Sequence, residues 1–260
     1  MIQVKALITE NTVLAPGYYR IGLLAPEVAS QAQPGQFVQI RVAGESCTDP
    51  LLSRPISIYR VDRTTGMIFL IYKTVGRGTT ILAGEARGAI LEVLGPIGNG
   101  FHMPENAKGV ALVGGGVGMP PLYCLAELLK AKQPELSITL FYGGRSRSDI
   151  LELEAWEQLG VELCVATEDG SYGTKGLVTT MLLNKLQDKK FDYLAACGPE
   201  PMLKAVQQIA LEQQLAGEIS LEAHMACGVG ACLGCTCNTA KGYRRVCVDG
   251  PVFNLSEVTF

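Results

Sequence analysis

The 27 residues from Met225 to Pro251, MACGVGACLGCTCNTAKGYRRVCVDGP, hold five of the chain's nine cysteines. Cys227, Cys232 and Cys235 follow a C-x4-C-x2-C spacing, Cys237 comes two positions later, and eleven residues separate Cys235 from Cys247. Sulfur at this density restricts the chain more than any strand or helix pattern elsewhere in it. Three side chains from one tight curl and a fourth from further on have to serve a common purpose. Gly228, Gly230 and Gly234 are interleaved with them. Glycine tolerates φ > 0 and carries no side chain, so a loop built on it can bring its backbone N–H groups close to a buried centre.

This is the plant-type ligand spacing of a [2Fe–2S] cluster, with Cys227, Cys232, Cys235 and Cys247 as the four thiolates, two for each iron. A four-cysteine zinc site is a second reading. Structural zinc usually takes two C-x2-C pairs, however, and the second half here supplies only Cys247. Disulfides are a third reading and suit a secreted chain, which nothing here marks. Cys237 is a surplus thiol, since using it in place of Cys235 breaks the x2 spacing.

The chain has 260 residues, 48% of them apolar, enough for two domains and a substantial core. Twenty-two basic against 25 acidic residues leave no basic stripe, which argues against a nucleic-acid partner. Nine cysteines without a signal-like N-terminus point to a reducing, cytoplasmic setting. Residues 109–126 run eighteen positions without a charge, long enough to suggest a membrane span. Their middle is Gly114-Gly115-Gly116-Val117-Gly118-Met119-Pro120-Pro121, so a buried strand, a glycine turn and a helix start explain them better.

From Ile2 to Ile97 six short β-branched and aromatic runs alternate with turn residues, as in a small antiparallel barrel. Two segments of it bear chemistry: Arg54-Pro55-Ile56-Ser57 and Tyr72-Lys73-Thr74-Val75-Gly76-Arg77-Gly78-Thr79. Arginine matches a diphosphate by bidentate hydrogen bonds, and a glycine turn followed by a hydroxyl residue presents N–H groups to an anion. Taken singly, Arg54 reads equally as a surface residue and Gly76-Arg77-Gly78 as a plain turn.

After the glycine-rich hinge at 94–100, strands and helices alternate. Strands are expected at 109–113, 136–142, 161–166, 191–197 and 219–223, with helices at 121–132, 149–159, 177–186 and 201–214. That alternation means βαβ units and a parallel sheet, which binds ligands beyond the carboxyl ends of its strands. The first such end is the turn carrying Gly114, Gly116 and Gly118, where Met119 replaces the last glycine of a G-x-G-x-x-G motif. Another carries Cys197-Gly198-Pro199-Glu200-Pro201-Met202, where Cys197 is either a site residue or a small buried hydrophobe. Arg145 and Arg147 read as a grip on a 2′-phosphate or as solvated loop charges, which leaves NAD against NADP open. Trp156 is expected in the core, and the two histidines, His102 and His224, read as structural or surface residues.

Taken together, RPIS after a PGQF strand, GRGT, and CGPEPM resemble the ferredoxin–NADP reductase superfamily. The resemblance implies an FAD diphosphate held by Arg54, Pro55 and Ile56 beside it, and Ser57 near the reactive edge of the flavin. Ile71, Tyr72 and Lys73 would lie along the FAD, and Gly78 and Thr79 would meet its phosphates. Gly114, Gly116 and Gly118 would serve NAD, with Cys197 near the nicotinamide ring. With CGVGACLGCTC…VCVDGPVF added, nearly the whole chain is similar to the electron-transfer subunits of the class 1B dihydroorotate dehydrogenases. The implied fold is β plus α/β: an N-terminal antiparallel FAD-binding barrel (1–100), a parallel α/β nicotinamide domain (101–223) and a small C-terminal [2Fe–2S] loop (224–260). The implied partner is an FMN-containing catalytic subunit that oxidises dihydroorotate, in a heterotetramer with two of each chain. Electrons would pass from FMN through [2Fe–2S] and FAD to NAD, in pyrimidine biosynthesis. Reductase subunits of sulfhydrogenase, sulfite reductase or oxygenase type combine the same modules. A four-cysteine zinc interaction module is the alternative from another class.

Overall fold

The computed structural model describes residues 1–44, 49–102, 104 and 106–260. The first part is a barrel. Its strands are β1 (Ile2–Ala15), β2 (Tyr18–Leu24), β3 (Phe37–Arg41), β4 (Arg54–Asp62), β5 (Met67–Lys73) and β6 (Ile90–Ile97). Among the described residues they close in the order β1-β2-β5-β4-β3-β6, every pair antiparallel. Closure removes the exposed edges that six short strands would otherwise present. Ile8, Ile21, Val38, Ile58, Leu70 and Val93 fill the interior and are fully buried. Two short helices interrupt the strands. The first, α1 (Pro26–Gln31), was not expected; its proline at the first turn supplies the fixed φ of a helix start. The second, α2 (Arg77–Gly84), follows directly on Gly76.

The second part alternates as the sequence indicates. Its elements are β7 (Gly109–Gly115), α3 (Met119–Lys132), β8 (Ser137–Gly144), α4 (Leu153–Gln158), β9 (Glu162–Thr167), β10 (Thr174–Lys175), α5 (Val178–Asp188), β11 (Tyr193–Cys197), α6 (Glu200–Glu212) and β12 (Gly217–Ser220). The sheet order is β10-β9-β8-β7-β11-β12, parallel throughout. The central β7 is buried along its whole length, the mark of a strand covered on both faces. The charge-free run at 109–126 is thus strand, turn and helix, and among the described residues no helix is long and apolar enough to cross a membrane.

Two expectations are corrected. The helix expected from Asp149 begins only at Leu153, because residues 147–149 form a single 3-10 turn and Glu152 takes left-handed dihedrals. The last strand, expected at 219–223, is β12 at Gly217–Ser220, and it is not the sheet's edge. The C-terminal segment forms a hairpin of β13 (Thr236–Thr239) and β14 (Gly242–Arg245), then returns as β15 (Val252–Asn254) antiparallel to β12.

The barrel and the sheet share cores. Tyr18, Tyr59 and Ile71 of the barrel pack in one cluster with Leu122, Tyr123 and Trp156 of the second part. Trp156 is fully buried and meets Tyr123 edge-on at 5.0 Å between ring centroids. Phe37 and Ile97 join Cys235, Val246 and Phe253 in another cluster, which seats the cysteine segment against both.

Candidate cofactor sites

The cysteine loop, residues 226–235, has no regular strand or helix and is shaped by glycine. Gly228 and Gly230 take φ of +67° and +80°. A Cβ on Gly228 would strike the Gln39 amide of β3 at 2.8 Å, and one on Gly230 would strike Val248 at 2.6 Å. The loop is therefore pressed between the barrel and the turn that follows β14.

Within it the sulfurs fall into two pairs. Cys235 and Cys247, both buried, have Sγ atoms 3.3 Å apart. Cys227 and Cys232 form the other pair: the N–H groups of Val229 and Cys232 each donate to Cys227 Sγ at 3.4 Å, and the Cys232 thiol adjoins it. Gly234 N–H donates to Cys232 Sγ at 3.4 Å. Hydrogen bonds to the charged form favour it, and these backbone donors hold the Cys227 thiol down at about 6. Burial, followed by the contact with Cys235, pushes Cys247 up to about 11. Among the described residues no three His, Cys, Asp or Glu side chains converge as they would around a single metal ion. Two thiol pairs with amides aimed at sulfur fit a binuclear cluster that takes two thiolates per iron, rather than one zinc ion bound by four. Cys237 lies in the hairpin opposite Arg244, half-buried against the neighbouring core.

At the barrel, Arg54 opens β4 and donates through Nη1 to the Leu52 carbonyl. A Cβ on Gly78 would lie 2.1 Å from Arg54 Nε and 2.5 Å from Cζ, so the guanidinium rests on the backbone at the start of α2. Thr79 Oγ1 accepts the N–H groups of Val75 and Gly76 at 3.0 and 3.3 Å and ties the turn down. The first N–H groups of a helix lack partners within it, and beside a guanidinium they make an anion cradle. The residues fit a diphosphate. Pro55 and Ile56 pair with Gln39 and Val38, and Ser57, half-buried, lies opposite Phe37.

The rest of the expected flavin set is less simply arranged. Ile71 is buried in the core that joins the two parts. Tyr72 is buried in the barrel, its ring stacked on Tyr19 and its hydroxyl donating to Asn11 Oδ1 at 3.1 Å. Lys73 bridges the barrel and the second part: Nζ donates to Tyr18 Oη at 2.8 Å and to Asp149 Oδ1 at 3.3 Å.

At the strand ends, the two glycine motifs are each other's packing partners. Cys197 pairs with Gly114 across β11 and β7. A Cβ on Gly118 would meet the Cys197 carbonyl oxygen at 2.2 Å; one on Gly115 would meet Pro199 at 2.8 Å and Met202 sulfur at 2.9 Å. Gly198, at φ +154°, would in turn meet Met202 and the Gly115 N–H. Gly116 alone has open space and a left-handed φ of +53°. Cys197 is 1% exposed, and burial, with the nearby Glu222 charge second, raises its thiol far above the ordinary range. Arg147 is engaged within its own loop, over the Tyr172 ring at 4.7 Å and on the Ile150 carbonyl at 2.6 Å.

Four residues near these sites went unmarked in the sequence: Tyr18, Arg20, Asp149 and Glu152, all polar groups at the junction of barrel and sheet. Only a three-dimensional register brings them together. His102, expected as a structural or surface residue, meets the buried Glu218 through both its N–H and Nδ1. A cavity of about 750 Å³ at the same junction, lined by Arg20, Tyr59, Glu127 and Glu152 among others, contains none of the expected site residues.

Residues 222–259 match the iron-sulfur cluster binding domain of dihydroorotate dehydrogenase B, and residues 112–208 match the oxidoreductase NAD-binding domain. A protein of Geobacillus sp. (strain WCH70) named dihydroorotate dehydrogenase B (NAD(+)), electron transfer subunit, is 39% identical over 99% of both chains. One of the same name from Shouchella clausii (strain KSM-K16) is 41% identical over 98% of both. Among solved structures, a chain of an NADH-dependent reduced ferredoxin–NADP oxidoreductase superposes with a TM-score of 0.87 at 31% identity, covering 98% of this chain and 90% of its own. The ferredoxin reductase of carbazole 1,9a-dioxygenase, at 23% identity and a TM-score of 0.68 over 82% of this chain and 66% of its own, shares the fold.

Proposed function

We propose, from the premise that this chain belongs to the family of dihydroorotate dehydrogenase B electron-transfer subunits, that it carries electrons from a catalytic partner subunit to NAD. In this reading the partner holds FMN and oxidises dihydroorotate for pyrimidine synthesis, and the assembly contains two of each chain. The setting is a reducing, cytoplasmic one, in keeping with eight described cysteines that are all free thiols.

The observation that carries the reading is the arrangement of Cys227, Cys232, Cys235 and Cys247 as two sulfur pairs on a segment packed against the barrel. When bound, nicotinamide supplies electrons in pairs as hydride, an iron–sulfur cluster takes them singly, and FAD exchanges them in both ways. The chain's own residues do the rest. The four cysteines hold iron as thiolates, and the N–H groups of Val229, Cys232 and Gly234 stabilise charge on sulfur. Arg54, Gly78 and Thr79 bind the FAD diphosphate at the start of α2. Ser57, with Pro55 and Ile56 on the same strand, borders the flavin, while Ile71 and Tyr72 support that site from the packed interior and Lys73 is taken up by Tyr18 and Asp149. Gly116, with open space beside it, would let a dinucleotide approach the backbone, Gly114 and Gly118 shape the turn by close packing, and the buried Cys197 would lie near the nicotinamide.

The test is anaerobic reconstitution with iron, sulfide and FAD. Serine replacement of each of the four cysteines is expected to abolish electron delivery to the partner and to spare flavin reduction by NADH. Loss of iron from Cys237→Ser, with retention in any of the four, contradicts the ligand set. A pure, anaerobically prepared protein that contains zinc and no visible absorbance contradicts the reading as a whole.

A further inference from the structure

One short segment between β8 and α4, residues 149–152, presents two carboxylates to the barrel wall. Asp149, with 11% of its side chain exposed, accepts the Tyr18 hydroxyl and Lys73 Nζ on Oδ1. Its Oδ2 accepts the N–H groups of Arg145 and Ser146 at 3.0 and 3.4 Å, which fixes the segment to the end of β8. Glu152, 13% exposed, accepts Arg20 Nη1 at 3.1 and 3.2 Å on its two oxygens and the Tyr59 hydroxyl at 3.4 Å. Tyr18 and Arg20 are two apart on β2 and so face the same way. Lys73 is the cross-strand neighbour of Tyr18 on β5, and Glu10 fixes Arg20 from behind through Nε at 2.8 Å. The barrel thus offers a preset hydroxyl, ammonium and guanidinium to two acids of the other part.

The backbone adds an independent sign. Glu152 holds φ of +54° and ψ of +32°, left-handed values that a residue with a long side chain rarely takes. Glycine or asparagine would occupy them with little strain. Strain kept in place by surrounding contacts is a recurrent feature of positions where geometry matters to function. The conformation turns the Glu152 carboxylate toward Arg20 and sets the start of α4.

We propose that Asp149 and Glu152 are positioning residues that clamp the nicotinamide-binding half onto the barrel, in the orientation that hydride exchange between nicotinamide and flavin requires. They act through Tyr18, Lys73, Arg20 and Tyr59. The inference rests on the hydride exchange proposed above. Rates of bound reactants are sensitive to misplacements of about 1 Å.

The experiment compares FAD-loaded wild-type protein with E152Q, E152G and D149N, each in complex with its catalytic subunit. Flavin bleaching is followed after rapid mixing with NADH, together with hydrogen exchange at the amides of residues 145–153 and 18–20, and melting. The expected result is a limiting bleaching rate lower by about tenfold or more, with the NADH concentration for half-saturation within about twofold of wild type. Exchange is expected to quicken in those two stretches and not in β7 or β11. E152G relaxes the backbone as it removes the carboxylate, so it is expected to melt no lower than E152Q while reacting as slowly. That combination separates positioning from mere support of the fold. Limiting rates near wild type in both Glu152 variants, unchanged exchange, or a loss of rate that simply follows melting would overturn the clamp. Wild-type flavin that NADH leaves unbleached would instead remove the hydride reading and the inference with it.

Discussion

The Sγ atoms of Cys235 and Cys247 lie 3.3 Å apart although twelve positions separate them in sequence. Val246 N–H donates to the Cys235 carbonyl at 2.9 Å, so the backbone that carries one sulfur is bonded directly to the backbone beside the other. The pairing is built into the hairpin rather than left to side-chain choice. Cys247→Ser and Cys235→Ser are therefore expected to lose bound iron while keeping the fold, and Cys237→Ser to keep a full complement. Iron and acid-labile sulfide per chain, measured after anaerobic purification, check this.

Arg54 lies on Gly78, and that contact makes a prediction about flavin affinity. A methyl group at position 78 meets the guanidinium, not the main chain, so Gly78→Ala displaces Arg54 at little cost to folding. Arg54→Ala removes the same group directly. A charge-assisted hydrogen bond is worth about 1.5–3 kcal/mol, so both variants should bind FAD roughly 10- to 100-fold more weakly. Fluorescence titration of the apoprotein with FAD measures it. Equal affinity in Arg54→Ala would remove Arg54 from the diphosphate site.

Much of this arrangement was legible in the chain. The strands of the barrel and the alternation of the second part follow from periodicities that burial enforces, and β7 reads as buried because it is apolar on both faces. The cysteine spacing is legible because a small inorganic centre restricts which loop positions can reach it. What escaped was long-range. The Asp149–Tyr18 contact joins residues 131 positions apart, and neither position is unusual in composition. The return of β15 to the edge of the sheet was missed because three residues carry too little pattern. The late start of α4 was missed because nothing in the sequence of Glu152 announces a left-handed backbone.

The interlock of the two glycine turns predicts an intolerant position. A Cβ on Gly118 falls 2.2 Å from the Cys197 carbonyl oxygen and 2.4 Å from its carbon, and backbone at both ends of parallel strands has nowhere to move. Gly118→Ala should cost about 1–3 kcal/mol of stability, as overpacking in a closed core does. The midpoint of denaturant unfolding reports it. Gly116→Ala meets no neighbour and bears only its left-handed φ, so it should cost about 1 kcal/mol.

Glu162 sets one part of the acid response. Hydrogen bonds from Lys185 and Lys189, at 2.6 and 2.8 Å, and from Thr139 hold its carboxyl down at about 2, against an ordinary value of 4.5. A carboxylate depressed in the folded state contributes stability above its unfolded value and loses it as pH falls through the folded one. The contribution is therefore complete above pH 4.5 and disappears toward pH 2. It is modest, because the side chain is 42% exposed and screened by solvent. Glu162→Gln should flatten the fall in unfolding midpoint across that window and leave the neutral-pH slope unchanged.

The central claim is that this chain joins a single-electron donor on its partner to a two-electron carrier in solution. Its most direct measurement mixes the FAD- and iron-loaded chain with the dihydroorotate-oxidising subunit, adds dihydroorotate and NAD anaerobically, and follows the absorbance of NADH. The account predicts NADH formation that needs both chains and stops when Cys235 or Cys247 is serine. NADH formation by the catalytic subunit alone, or none from the fully loaded pair, would contradict it.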